Sequence, residues 1–153
     1  MRVVLRVAVV SVLCLSVISS LTADELKKNK PVAKKKVTGF TWHEEYEEAW
    51  KIAQQEKRPL LLFLSMEGCH YCKKMERDTY ANAEIAKKLG ESFVPVRVKY
   101  RQDPQLIRRY KIQVFPTTVI IHPDTNRIER FPGYVGPVQM KSRLANSLAP
   151  VRR

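Results

Sequence analysis

The sequence predicts an α/β fold: a central mixed β-sheet with helices covering both faces. Three observations carry this. Leu60-Leu61-Leu62-Phe63-Leu64 is a short, continuous apolar run, the pattern of a strand buried on both faces. Helical and strand-like patterns alternate around it, in the order helix, strand, helix, strand, helix, strand, strand, helix. The last two strands flank Pro123-Asp124-Thr125-Asn126, turn chemistry that sends the chain back antiparallel. A parallel βαβ unit, then a hairpin and a closing helix, makes a mixed sheet with two covered faces.

The first helix is expected over Trp42 to Lys57, with Tyr46, Ala49, Trp50 and Ala53 at helical spacing. Glu44, Glu45, Glu47 and Glu48 enrich its first turns, where acidic groups suit the positive end of the helix dipole. Arg58-Pro59 ends it, because the residue before proline is pushed out of the α region. After the apolar strand, residues 65 to 68 form a loop in which Gly68 permits a tight backbone path. Helical pattern resumes at Cys69, breaks between Thr79 and Asn82, and continues through Leu89, with Gly90 as its expected stop. Phe93 to Val98 reads as a strand and Pro104 to Tyr110 as a short helix. Thr117 to Ile121 is a β-branched strand and Arg127 to Phe131 its antiparallel return. Val138 to Leu148 closes the fold as an amphipathic helix, with Val138, Leu144 and Leu148 assigned inward.

Residues 1–23 stand apart. Arg2 and Arg6 form a basic start, Val7 to Ile18 is apolar, and small residues follow to Ala23. This is the layout of a secretory signal peptide cleaved after Ala23, with Cys14 an apolar residue of the signal. The alternative is an uncleaved N-terminal anchor; the apolar stretch is shorter than the roughly 20 residues that comfortably span a bilayer, which favours cleavage. Of 153 residues, one domain therefore remains, over 38–149, with 150–153 as a tail. The formal net charge of +13 falls to +11 once Arg2 and Arg6 leave. Lys27, Lys28, Lys30, Lys34, Lys35 and Lys36 crowd residues 24–37, which read as a flexible basic linker able to touch anionic surfaces. Export, and the lack of aromatics interleaved with the basic residues, argue against nucleic acid as a partner.

The mature chain keeps two cysteines, in Cys69-His70-Tyr71-Cys72. A structural staple is a poor use of this spacing. A four-residue ring removes only about 2 kcal/mol of unfolded-state entropy in the loop-closure view. A structural zinc site takes four protein ligands, and beyond Cys69, Cys72 and His70 only His43 and His122 offer nitrogen donors. No metal site is therefore expected. Redox chemistry fits better. Only a thiolate attacks a disulfide, and a cysteine at a helix N-terminus has its pKa lowered by the unpaired N–H groups and the dipole. Cys69 occupies that position, with His70, Lys73 and Lys74 within a turn to add positive potential. Cys72, one turn on and more buried, is the resolving thiol.

Three features in order resemble the thioredoxin superfamily, in particular its exported thioredoxin-like members, over roughly Phe40 to Leu148. They are the strand Leu60 to Leu64 leading into Gly68-Cys69-His70-Tyr71-Cys72-Lys73-Lys74-Met75, the segment Val114-Phe115-Pro116-Thr117, and Pro132-Gly133-Tyr134 before the last helix. The resemblance implies a thioredoxin-like fold and a cis peptide at Pro116 facing the cysteines. It also implies a substrate-binding role for Phe115, Pro116 and Thr117. Phe115 reads equally as a buried strand aromatic. Pro116 lacks an N–H, which leaves its neighbour's backbone to pair with an extended substrate. His70, Tyr71 and Lys73 are the residues expected to tune the couple: His70 would stabilise the thiolate and make a more oxidising couple, and Tyr71 would also be a contact surface. The sequence also departs from cytosolic thioredoxins. Phe63 stands where those proteins carry a buried acid, Gly68 where they have tryptophan, and His70-Tyr71 where they have Gly-Pro, while Arg97 falls near their buried lysine. Glu67, Glu76 or solvent is left to accept the resolving cysteine's proton.

These readings predict an exported protein thiol–disulfide oxidoreductase, periplasmic or secreted. Its redox centre is the Cys69/Cys72 pair itself, so no dissociable cofactor is expected. The chain ends Pro150-Val151-Arg152-Arg153, without a retention signal for the endoplasmic reticulum. Its partners would be protein thiols and disulfides, with a membrane electron donor or oxidant to reset it. The direction of electron flow stays open. The competing reading is a non-catalytic binding module of the same fold that holds acidic or extended partners.

Overall fold

The computed structural model describes residues 39–150. The expected signal segment with Cys14, the lysine-rich linker and residues 151–153 of the tail lie outside the described residues. The elements run α1 (Tyr46–Glu56), β1 (Leu60–Ser65), α2 (His70–Lys74), a π-helical segment (Met75–Tyr80), α3 (Ala83–Ser92), β2 (Val94–Lys99), α4 (Pro104–Arg109), β3 (Thr117–Ile121), β4 (Ile128–Pro132) and α5 (Pro137–Leu148). One four-stranded sheet has the order β2-β1-β3-β4, with β1 and β2 parallel and the β3–β4 hairpin antiparallel to β1.

The apolar run of β1 is buried along its whole length because successive side chains point to opposite faces. Leu61 and Phe63 join a cluster with Met75, Tyr80, Ile85, Leu89, Met140 and both cysteines of the motif. Leu60, Leu62 and Leu64 join the other cluster with Ala49, Ala53, Val96, Leu106 and Ile107. Each fully buried leucine contributes about 1.5–3 kcal/mol of transfer free energy. A one-residue slip of β1 would exchange the two sets, so its register is fixed from both sides.

Three readings of the sequence change in the structure, each for a physical reason. Helix α1 begins at Tyr46 rather than Trp42, because the preceding segment is drawn to the sheet edge. The His43 N–H donates to the Pro95 carbonyl and the Arg97 N–H to the His43 carbonyl, both at 2.9 Å, pairing His43 in parallel with Val96. The expected break between Thr79 and Asn82 is present, at Ala81 and Asn82, directly after the π-helical turn. Asn82 then caps α3, its side chain accepting from the N–H groups of Glu84 and Ile85. Gly90 does not stop α3 but lies inside it: a Cβ there would stand 2.2 Å from the Gly39 carbonyl oxygen, so the glycine permits a backbone contact. Val138 is not an inner residue. It is 78% exposed, one position after the N-terminal proline of α5, whereas Met140 and Leu144 are buried.

At the far end of the hairpin, polar groups tie β3, β4 and α5 together. His122 Nε2 lies 2.9 Å from Arg127 Nη2 and 3.0 Å from Ser147 Oγ, and Ser147 Oγ donates to Glu129 Oε1 at 2.9 Å. Arg127 also donates to the Ser147 carbonyl and pairs with Glu129 at 3.1 Å. Nε2 also lies 3.3 Å from Glu129 Oε1, so two partners compete for it: the arginine, which only donates, favours a bare nitrogen, and the carboxylate favours a protonated one. Burial, and then the Arg127 charge, hold the His122 pKa below its ordinary value, outweighing Glu129 and Asp124. The neutral ring is thus favoured in the fold, while the unfolded chain protonates near pH 6.5. Stability from this group is present above about pH 6.5 and is lost as pH falls toward the depressed folded value. Thermal unfolding from pH 7.5 to 5.5 is expected to show a shallower loss of Tm in His122→Gln than in wild type. Equal slopes would contradict the assignment.

Candidate active site

The motif follows from the way β1 ends. Gly68 takes a positive φ of +74°, a conformation that costs glycine nothing, and an added Cβ would meet nothing within 4 Å. The turn delivers Cys69 as the N-cap of α2, and Lys73 donates its N–H to the Cys69 carbonyl at 3.3 Å. Cys69 and Cys72 are joined by a disulfide, with Cα atoms 5.3 Å apart. Cys72 is 3% exposed and Cys69 8%, so the first cysteine is the more accessible. The Cys72 N–H donates to Cys69 Sγ at 3.1 Å. On reduction that donor stabilises charge on Cys69 rather than on Cys72.

Sheet register brings the remaining pieces to the same end. Leu64 pairs with Thr117 and Ser65 with Lys99, so Pro116, the β2 terminus and the motif share one end of the sheet. The Phe115–Pro116 peptide is cis, Gly133 donates its N–H to the Pro116 carbonyl at 2.8 Å, and Thr117 Oγ1 donates to the Val114 carbonyl at 2.6 Å. Pro116 and Thr117 are buried, and Phe115 is half-buried between the two core clusters, its ring 5.6 Å from that of Tyr100. Met66, Tyr71, Tyr100 and Val114 are exposed apolar side chains. All four flank the elements that meet at this end of the sheet, where ligands of α/β sheets bind.

Charge around the motif is divided unevenly. Lys74 hydrogen-bonds Asp78 at 2.6 Å and lies 5.1 Å from the Tyr134 ring centre, so it is engaged away from the sulfurs. Hydrogen bonds from Arg77 and then Lys74 pull the Asp78 carboxyl down to about 2. His70 is exposed, its ring edge-on to Tyr71 with centres 5.6 Å apart. Lys73 is exposed and lines a pocket of about 260 Å³ with both cysteines, Met66, Glu67, Glu76 and Lys99. Among the described residues, no three His, Cys, Asp or Glu side chains cluster as a metal site.

The sequence matches the thioredoxin-like domain over residues 46–147, well over half of the chain. The chain belongs to the thioredoxin-like family. Among solved structures it resembles a thioredoxin from Thermus thermophilus (24% identity, TM-score 0.64, 71% of this chain and 87% of that one). It also resembles the DsbH oxidoreductase (21%, 0.63, covering 83% and 94%). At these identities the likeness concerns the fold. Human spermatogenesis-associated protein 20 is 32% identical over 77 residues, which are 50% of this chain and 10% of that protein. Mouse anterior gradient protein 3 is 27% identical over 92 residues, 58% and 56% respectively. The chain thus spans a tenth of the first relative and just over half of the second.

Within this thioredoxin-like frame, the departures at Phe63 and Arg97 share one environment. Phe63 is fully buried against Trp42 and Tyr80, with ring centres 5.8 and 4.9 Å away. Arg97, its β2 neighbour, reaches Glu44 at 2.9 Å and Glu76 at 3.9 Å. Of the two candidate carboxylates, Glu67 has a side chain 64% exposed and leans on Arg101, while Glu76 is 39% exposed one turn beyond Cys72. The sequence reading missed Lys99, Met66 and Tyr100. Parallel pairing of Ser65 with Lys99 places Lys99 and Tyr100 here, a signal available only once the strand register is known, whereas Met66 lies three residues before Cys69 in the chain.

Proposed function

We propose that the protein is an exported thiol–disulfide oxidoreductase acting on protein substrates. The observation carrying this reading is the bonded Cys69–Cys72 pair on the wall of an open pocket, at the end of the sheet that also holds Pro116. The basic-apolar-small pattern of residues 1–23 supports export. The similar DsbH oxidoreductase shares the fold.

In the oxidising direction a substrate thiolate attacks Cys69 Sγ and Cys72 leaves as a thiolate. A second substrate thiolate then attacks the mixed disulfide and releases Cys69. The substrate loses two electrons to the cysteine pair, and the reverse sequence reduces a substrate disulfide. In that reverse sequence the Cys72 proton goes to Glu76, a reading supported by its sharing the pocket with both cysteines and by its lower exposure than Glu67, and a role that Phe63 cannot fill. His70 and Lys73 tune the couple, and Tyr71, Phe115, Pro116 and Thr117 receive the substrate chain. The pair itself is the redox centre, needing no dissociable cofactor. A membrane donor or oxidant would reset it, and the linker at 24–37 would steer the domain toward anionic surfaces.

Equilibration with glutathione redox buffers tests this reading. The pair is expected to titrate as a two-electron couple between about −270 and −120 mV, with the position in that range setting the direction. Failure to exchange with glutathione at any ratio would favour a non-catalytic binding module.

A further inference from the structure

The pocket beside the disulfide is electrostatically lopsided. Its two carboxylates each have an arginine at hand, Glu67 with Arg101 at 3.6 Å and Glu76 with Arg97 at 3.9 Å. Its two ammonium groups, Lys73 and Lys99, carry no ion pair among the described residues, and both residues are exposed. They approach from different elements, Lys73 from α2 and Lys99 from the end of β2, with the cysteines in the same wall. At about 260 Å³ the pocket falls below the roughly 300–1,000 Å³ of pockets that engulf whole ligands. It is sized for one side chain beside the reacting sulfur, with Met66 as an apolar wall for its methylenes.

We propose that this pocket seats an acidic side chain flanking the reactive cysteine of the substrate, between Lys73 and Lys99. The inference rests on the oxidoreductase reading and adds a substrate class to it: proteins with Asp or Glu next to the exchanged cysteine. A flanking acid would speed encounter through the unpaired lysines and fix the substrate's register against Cys69. A flanking lysine would meet two like charges.

The test uses the full chain and three disulfide-linked peptide probes that differ only in the residues flanking cysteine: glutamate, serine or lysine. Oxidised glutathione serves as a small-molecule source of carboxylates. In wild type the glutamate probe is expected to exchange about five- to tenfold faster than the lysine probe at low salt, and the ratio should shrink toward one at high salt. Lys99→Glu and Lys73→Glu should each lower this ratio, and together invert it. Because the ratio is taken within each protein, a general change in reactivity cancels. A ratio unchanged in the double variant overturns the proposal, as does slowing confined to glutathione. If wild type does not exchange even the serine probe, the oxidoreductase reading fails, and this inference with it.

Discussion

Cys69→Ser lowers disulfide exchange by about a thousandfold or more, to the uncatalysed background, because a serine hydroxyl is not appreciably ionised at neutral pH. Cys72→Ser behaves differently. Its first step survives, and the mixed disulfide on Cys69 persists because nothing within the protein releases it. The asymmetry follows from the site: Cys69 caps α2, receives the Cys72 N–H at 3.1 Å and is the more exposed of the pair. Stopped-flow exchange with a fluorogenic disulfide peptide reads both variants. Equal losses in the two would contradict the division of roles, and full exchange by Cys69→Ser would remove the nucleophile assignment.

Phe63→Ala destabilises the domain by about 3–5 kcal/mol, through lost burial and the cavity left behind. Phe63 is completely buried beneath the motif, in ring contact with Trp42 and Tyr80. Tyr80 is itself tied to Thr118 of β3 by a 2.7 Å hydroxyl contact, and burial pushes its pKa well up, so the site has little freedom to collapse. Against a typical domain stability of about 5–15 kcal/mol, such a loss removes a large share. Phe63→Leu, which keeps most of the apolar volume, should cost less. Val138→Ala, at a position 78% exposed, should stay within about 0.5 kcal/mol. Urea unfolding of the full chain measures all three. A cost below about 1 kcal/mol for Phe63→Ala would show that the core under the motif repacks.

The order of elements was legible because local chemistry and tertiary burial agree. An unbroken apolar strand belongs in the middle of a two-faced sheet, and β1 is there. The motif was legible from its spacing together with its place between an apolar strand and a helical pattern. Features set by distant partners were not. His43 is extended because β2 supplies its hydrogen bonds, and Gly90 sits within a helix because Gly39 approaches it. The π-helical turn at Met75–Tyr80 shifts the helical period by one residue, a change that a search for 3.6-residue spacing does not detect. Lys99 lies one residue past the apolar strand pattern and gains its place beside the disulfide only through pairing with Ser65.

The most direct test of the central claim is to trap the reaction half-way. Full-chain Cys72→Ser, mixed with a disulfide peptide and quenched with acid, is analysed by intact mass and peptide mapping. One peptide adduct on Cys69, absent when Cys69 is also serine, is the predicted result. No adduct, or an adduct confined to Cys14, would contradict the claim that this cysteine pair exchanges disulfides with protein substrates.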